Sequence, residues 1–184
     1  MTKLKESPSQ TAGPYVHIGC VPQTAGLEQR DMGQQLGAKM NHGASLSAAI
    51  TLEITVLDGA DEPVKDALLE IWQASAEGGF KPTNSFFNWG RQGTDLTTGK
   101  ALFETSKPGS AQGQAPHILV WIVARGINIA LTTRIYFDDE DNSNDPIFAL
   151  ASDRADTLVA TKTKNGYAHT IRLQGPQETV FFDV

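Results

Sequence analysis

From residue 48 onward, hydrophobic and polar positions alternate with a period of two, broken at short intervals by turn residues. In Ala48–Leu57, Ile50, Leu52, Ile54 and Val56 alternate with Thr51, Glu53 and Thr55, and Asp58-Gly59 follows as a turn. Ala67–Gln73 places Leu69 and Ile71 on one face and Leu68, Glu70 and Trp72 on the other. Ala101–Thr105, Thr132–Phe137, Leu158–Thr163, Tyr167–Leu173 and Thr179–Phe182 read as further strands. His117–Ala124 is almost wholly apolar and β-branched, the pattern of a central strand buried on both faces. Asp145-Pro146 signals one short helix, with Asp as N-cap and Pro at the first helical position. About eight strands with long loops and little helix predict an all-β fold, a β-sandwich. The chain shows no internal repeat.

Residues 1–30 lack any sustained period and carry Pro8, Pro14 and Pro22, so they read as an extended N-terminal arm preceding a β-sandwich domain of residues 31–184. Such an arm is stable only when its own domain or a partner covers it. Leu27, Met32 and Leu36 could share a face of a short helix, weakened by Gly33 and Gly37 at about 1 kcal/mol each. Gly78–Gly99 is a long segment bearing Phe80, Phe86, Phe87 and Trp89, and a loop of that length is usually functional or interfacial.

Composition narrows the classes. Of 184 residues, 40% are hydrophobic and 20% charged, an ordinary globular balance. The net charge of −6 and the absence of a basic stripe argue against binding nucleic acid or an anionic membrane. The longest uncharged apolar run, Ile118–Ala124, is far too short to span a bilayer. Cys20 is the single cysteine, and the first ten residues hold no apolar export segment. The expectation is a cytoplasmic, reducing environment.

Common chemical motifs fail. Gly93–Lys100 resembles a phosphate loop, but the spacing is one residue too long and Ala101 stands where Ser or Thr must reach magnesium. Asp139, Asp141, Ser143 and Asp145 have the odd-position spacing of a calcium loop without its glycine or closing Glu, and so read as a solvated acidic loop. His117 opens the central strand beside Leu119, which cannot ligate, so on spacing alone it is a structural histidine. Arg125 ends the apolar run. It is either an internal ion pair, with Glu70 or an Asp, or a binding group for an anionic ligand.

Several segments resemble the intradiol ring-cleavage dioxygenases. They are LEITVLDGADEPVKDALLEIWQASAEGGF (52–80), KPG (107–109), APHI (115–118), ARGINI (124–129), TRIYFDDE (133–140), ETVFFD (178–183) and SQTAGPYVHIG (9–19). The resemblance runs over most of the chain, is weakest in 20–48, and is strongest to the alpha chains of the family's two-chain members. It implies an oxidoreductase that opens a catechol ring between its hydroxyl-bearing carbons. A non-haem Fe(3+) held by two Tyr and two His acts there as Lewis acid and template.

Position by position, most of those ligands are missing. Phe80 stands for the first Tyr, Ala111 or a neighbour for the second, Leu119 for one His, and Gln114 for an Arg; His117 alone remains. The resemblance therefore implies a chain that binds no metal and has no catalytic residue of its own. Its partner would be a homologous beta chain that holds the Fe(3+), with a small aromatic acid as substrate. It further implies that Thr11, Gly13, Pro14 and Tyr15 line the partner's pocket, and that Arg125 meets the substrate carboxylate. Simple inter-subunit packing is an equal reading for any single arm residue. Two rival readings remain open: a non-enzymatic β-sandwich binding module, and a homo-oligomer recruiting metal through His17, His42 or His169.

Overall fold

A computed structural model of the chain describes residues 10–24, 26–27, 37–42 and 49–183. Among these, the strands are β1 (Ala49–Leu57), β2 (Leu68–Gln73), β3 (Trp89–Gly93), β4 (Lys100–Ser106), β5 (Ile118–Val123), β6 (Leu131–Phe137), β7 (Val159–Lys162) and β8 (Gly166–Arg172). They hydrogen-bond in the order β3-β2-β5-β6-β7-β8-β1-β4. Neighbours run antiparallel except β6 with β7 and β1 with β8.

The two ends of this sheet curl toward each other. Gln92 Nε2 of β3 donates to Leu102 O of β4 at 2.8 Å. Residues 37–42 lie between the same edges: Met40 N donates to Glu104 O and Phe87 N to Met40 O, both at 2.9 Å. Gln73, buried at the end of β2, donates to Ser106 O at 2.7 Å and accepts from Thr105 Oγ1 at 2.9 Å, so a second tie joins β2 to β4. The sheet is nearly closed and sandwich-like, as the alternating pattern predicts.

The alternation in β1 is realised directly: Leu52, Ile54 and Val56 are fully buried. They share one core with Leu69, Ile71, Phe103, Ile118, Val120, Ile122, Ile135 and Phe137. Each such side chain contributes about 1.5–3 kcal/mol by leaving water. No helix among the described residues is long and apolar enough to cross a membrane.

Four local expectations change. First, β3 lies inside the segment read as loop. Its core-facing position is Gly90, where a Cβ would meet Met40 Sδ at 3.0 Å and Ile71 Cγ1 at 3.1 Å, so close packing removed the hydrophobic signal. Second, β5 is fully buried on one face only: on the other, Leu119 and Val123 are half-buried and Trp121 is 37% exposed.

The strand covered on both sides is instead β6. Its outer residue Tyr136 packs with Ala151, Leu158 and Val180 beneath a helix α2 (Pro146–Leu150) and a 3-10 turn (Ser152–Leu158). Third, Thr179–Phe182 is not a strand of the sheet; Thr133 Oγ1 of β6 donates to Val180 O at 2.7 Å. Fourth, the arm is not extended throughout. Pro14–Cys20 forms helix α1, in which Pro14 occupies the first position, where its missing N–H is harmless. The helix expected over Leu27, Met32 and Leu36 falls largely outside the described residues.

Candidate functional site

Arg125 lies two residues after the end of β5, and Asp66 two residues before the start of β2. The antiparallel register that pairs Leu68 with Val123 sets the two opposite each other. Arg125 Nε lies 3.3 Å from Asp66 Oδ2. The Arg125 side chain is 70% exposed, not buried as the end of an apolar strand suggests. It borders a groove of about 760 Å³ together with Asp58, Lys65, Asp66 and Gly126. Glu70, the other partner considered, is already taken. Arg91 Nε donates to Glu70 Oε1 at 2.7 Å, and the Arg91 guanidinium stacks over Trp89 at 4.9 Å.

The arm reaches this site through Thr11. Its Oγ1 accepts from Gly126 N at 2.7 Å and donates to Ala124 O at 3.4 Å, bracketing Arg125 on both sides. Thr11 and Ala12 border a second cavity of about 400 Å³ against Leu68, Trp121 and Val123. Beyond Thr11 the candidates turn outward. Gly13 is the N-cap of α1, and a Cβ there would meet open space within this chain. Pro14 is exposed and Tyr15 is 85% exposed. The fold thus joins Thr11 to the Arg125 turn and leaves Pro14 and Tyr15 exposed, with Gly13 half-buried beside them.

Of the positions compared with metal ligands, Leu119 lies on β5, His117 immediately precedes it and Ala111 lies in the loop before it. The turn leading to Phe80 docks on the loop before Ala111: Gly109 N donates to Ser75 O at 2.9 Å. Gly78 there has φ +82°, and a Cβ on it would run into Ser110 O, so glycine is required. His117 Nδ1 lies 2.8 Å from Ala115 O, which makes it the protonated nitrogen and leaves Nε2 as the acceptor. Burial lowers the His117 pKa and the nearby Arg134 charge adds to this, against the Ala115 hydrogen bond and the Asp145 charge.

Phe80, Ala111 and Leu119 carry no donor atom. No group of three His, Cys, Asp or Glu among the described residues could converge on a metal. One imidazole nitrogen does not fit the four-ligand ferric site that the resemblance implies.

A polar network stands beside these positions, and the sequence reading missed it. Arg134 Nη1 donates to Gln114 Oε1 at 2.8 Å, and lies 3.3 Å from the Tyr136 hydroxyl. Tyr136 donates to Asp145 Oδ1 at 3.2 Å. Burial pushes the Tyr136 phenol up to about 12, against the opposing effect of Arg134. Asp145 Oδ1 also accepts from Ile147 N at 2.8 Å and Phe148 N at 3.0 Å, and Oδ2 from Ala115 N at 2.9 Å. Burial alone would raise the Asp145 pKa. The amides of Phe148, Ile147 and Ala115, with the Tyr136 hydroxyl, outweigh it and lower the pKa. The Asp-Pro helix signal exposed only the capping part of this role.

Two rejected motifs also have structural roles. In the phosphate-loop look-alike, Asp95 Oδ1 accepts from Thr97 N at 3.0 Å and Thr98 N at 2.8 Å, closing a turn. In the acidic loop, Asp139 binds Lys107 at 2.9 Å, Lys162 at 2.8 Å and the Tyr167 hydroxyl, and Lys107 also pairs with Glu140. Burial alone would raise the Asp139 pKa; these donors hold the carboxyl well below the usual range. The KPG segment is thereby anchored to the end of β6.

No family model matches the chain. It is 42% identical over 197 residues to the protocatechuate 3,4-dioxygenase alpha chain of Pseudomonas putida, covering 98% of this chain and 97% of that one. It is 37% identical over 201 residues to the alpha chain of the same name from Burkholderia cepacia, covering 100% of both. Among solved structures it is similar to an intradiol ring-cleavage dioxygenase from Tetranychus urticae, with a TM-score of 0.60 at 18% identity over 79% of this chain and 87% of that one. Catechol 1,2-dioxygenase from Pseudomonas arvilla C-1 gives a TM-score of 0.57 at 19% identity, over 77% of this chain and 58% of that one. At these identities the structural likeness concerns the fold.

Proposed function

Because the chain belongs to the family of protocatechuate 3,4-dioxygenase alpha chains, we propose that it is the non-iron-binding subunit of such an enzyme and completes an active site whose metal a homologous beta chain holds. In that assembly the partner's ferric iron and O₂ open the ring of 3,4-dihydroxybenzoate to give 3-carboxy-cis,cis-muconate. This chain supplies binding groups and no metal ligand, acts in the cytoplasm, and is inactive alone.

The observation that carries the reading is the Thr11 bracket on the Arg125 turn. It brings together two segments that the family resemblance assigns to one pocket, and they lie more than a hundred residues apart in the chain. The exposed guanidinium of Arg125 suits a carboxylate, to which it can offer paired N–H donors. Pro14 and Tyr15, both exposed, and the half-buried Gly13 before them suit a wall completed against the partner. The one-sided burial of β5 and the exposure of Trp72 and Trp121 fit the same arrangement.

The test is Arg125→Ala in the assembled enzyme. Binding of 3,4-dihydroxybenzoate weakens by about 1.5–3 kcal/mol, the scale of a hydrogen bond to a charged group. Catechol, which lacks the carboxylate, is affected much less. Equal losses for both compounds make Arg125 structural.

A further inference from the structure

We infer that Asp66 is a specificity-determining residue of the Arg125 site: it holds the guanidinium in a parked position and competes for it with the incoming carboxylate. The inference depends on the reading of Arg125 given above. Arg125 and Gly126 border the 760 Å³ groove with Lys65 and Asp66, whereas Thr11 and Ala12 border the other cavity, and Ile127 borders both. The guanidinium therefore lies on the Asp66 side of its turn and the arm on the opposite side. A carboxylate that also meets the arm has to draw Arg125 away from Asp66.

The parked position is weakly held. Arg125 meets Asp66 through Nε at 3.3 Å, with 70% of the Arg125 side chain and 34% of the Asp66 side chain exposed. Exposed pairs of this kind are worth little and exchange readily. For an acidic ligand, part of the gain from Arg125 replaces an ion pair that already exists, and the Asp66 charge opposes the ligand's own. An uncharged diol meets neither effect. Asp66 thus moderates the preference for acids that Arg125 creates. Lys65, on the adjacent position, borders the same groove.

The test uses the assembled two-chain enzyme and the ratio of kcat/KM for 3,4-dihydroxybenzoate to that for catechol. Asp66→Asn keeps the side-chain size and removes the charge; it raises this ratio about two- to five-fold. In an Arg125→Ala background the same change raises the ratio by less, because only the direct repulsion between Asp66 and the carboxylate remains to be removed. Where Asn disturbs the turn into β2, Asp66→Ser makes the same measurement. A ratio left unchanged or lowered by the Asp66 variants, with Arg125→Ala still lowering it, overturns the inference and leaves the role of Arg125 standing. A ratio unmoved by Arg125→Ala removes the role of Arg125, and the inference about Asp66 falls with it.

Discussion

Thr11 Oγ1 accepts the Gly126 amide hydrogen at 2.7 Å across 115 positions of chain, and this bond seats the N-terminal arm on the turn that carries Arg125. Thr11→Val keeps the shape and removes both hydrogen bonds of the hydroxyl. The loss is about 0.5–1.5 kcal/mol of arm docking. Amide hydrogen exchange over Pro14–Cys20 then speeds up correspondingly, while the β1 amides keep their protection. Thr11→Ser restores slow exchange. Unchanged exchange in the Val variant shows that packing, not this bond, holds the arm.

Asp145 caps α2 and also gathers Ala115 N and the Tyr136 hydroxyl, while itself almost wholly buried. Asp145→Ala removes the cap and leaves buried donors without partners. The expected destabilisation is about 2–4 kcal/mol in chemical denaturation. The folded carboxyl has a lowered pKa, so its contribution is full above the ordinary Asp range and is lost as pH falls below it. The variant's acid limb is accordingly flatter than that of the native chain. A loss under 1 kcal/mol places the weight of this region on the Tyr136–Phe148 ring contact instead.

Gln73 belongs to the Ile-Trp-Gln-Ala segment and joins β2 to β4 through Thr105 and Ser106. Gln73→Leu fits the apolar surroundings but strands the Thr105 hydroxyl and the Ser106 carbonyl. Stability falls by about 2–3 kcal/mol. A Gln73→Leu, Thr105→Val double variant recovers part of that loss, because replacing both partners removes the orphaned donor. Failure of the double variant to recover any stability counts against the bond as the cause.

His169 is buried in β8, opposite Ile54 of β1. Its Nε2 meets no hydrogen-bond partner among the described residues. Burial lowers its pKa to about 4 despite a hydrogen bond to the Val159 backbone. In the unfolded chain the imidazole takes up its proton near 6.5, so between pH 6.5 and 4 the unfolded state binds more protons. Stability is full above pH 6.5 and declines toward pH 4, by something on the order of 3 kcal/mol. His169→Leu removes this component, and its stability curve is flatter between those limits. Parallel curves for the two proteins show that His169 does not set the slope.

Much of this architecture is legible in the alternation of residues, because a strand with one buried face writes its period into the chain. Ile50 to Val56 do so, and β1 is found where they predict it. Legibility fails where burial is achieved without side chains or from both sides. Gly90 carries β3 against the core and leaves no apolar signal. The fully apolar run of β5 reads as buried on both faces, although the cover lies over β6.

The candidate site divides the same way. Arg125 and Thr11 stand out by residue type and by resemblance, but Asp66 does not. Its pairing with Arg125 follows from the β2–β5 register, which no local pattern encodes. The network of Tyr136, Arg134, Gln114 and Asp145 is silent for the same reason, since three separate segments assemble it.

The central claim is that this chain completes a metal site without holding the metal. Its most direct test is to produce the chain alone and together with the partner beta chain, and to measure iron content and the visible phenolate-to-iron band in each preparation. The account predicts no iron and no band for the chain alone, with one iron per alpha–beta pair and full colour in the complex. Stoichiometric iron in the isolated chain would contradict it.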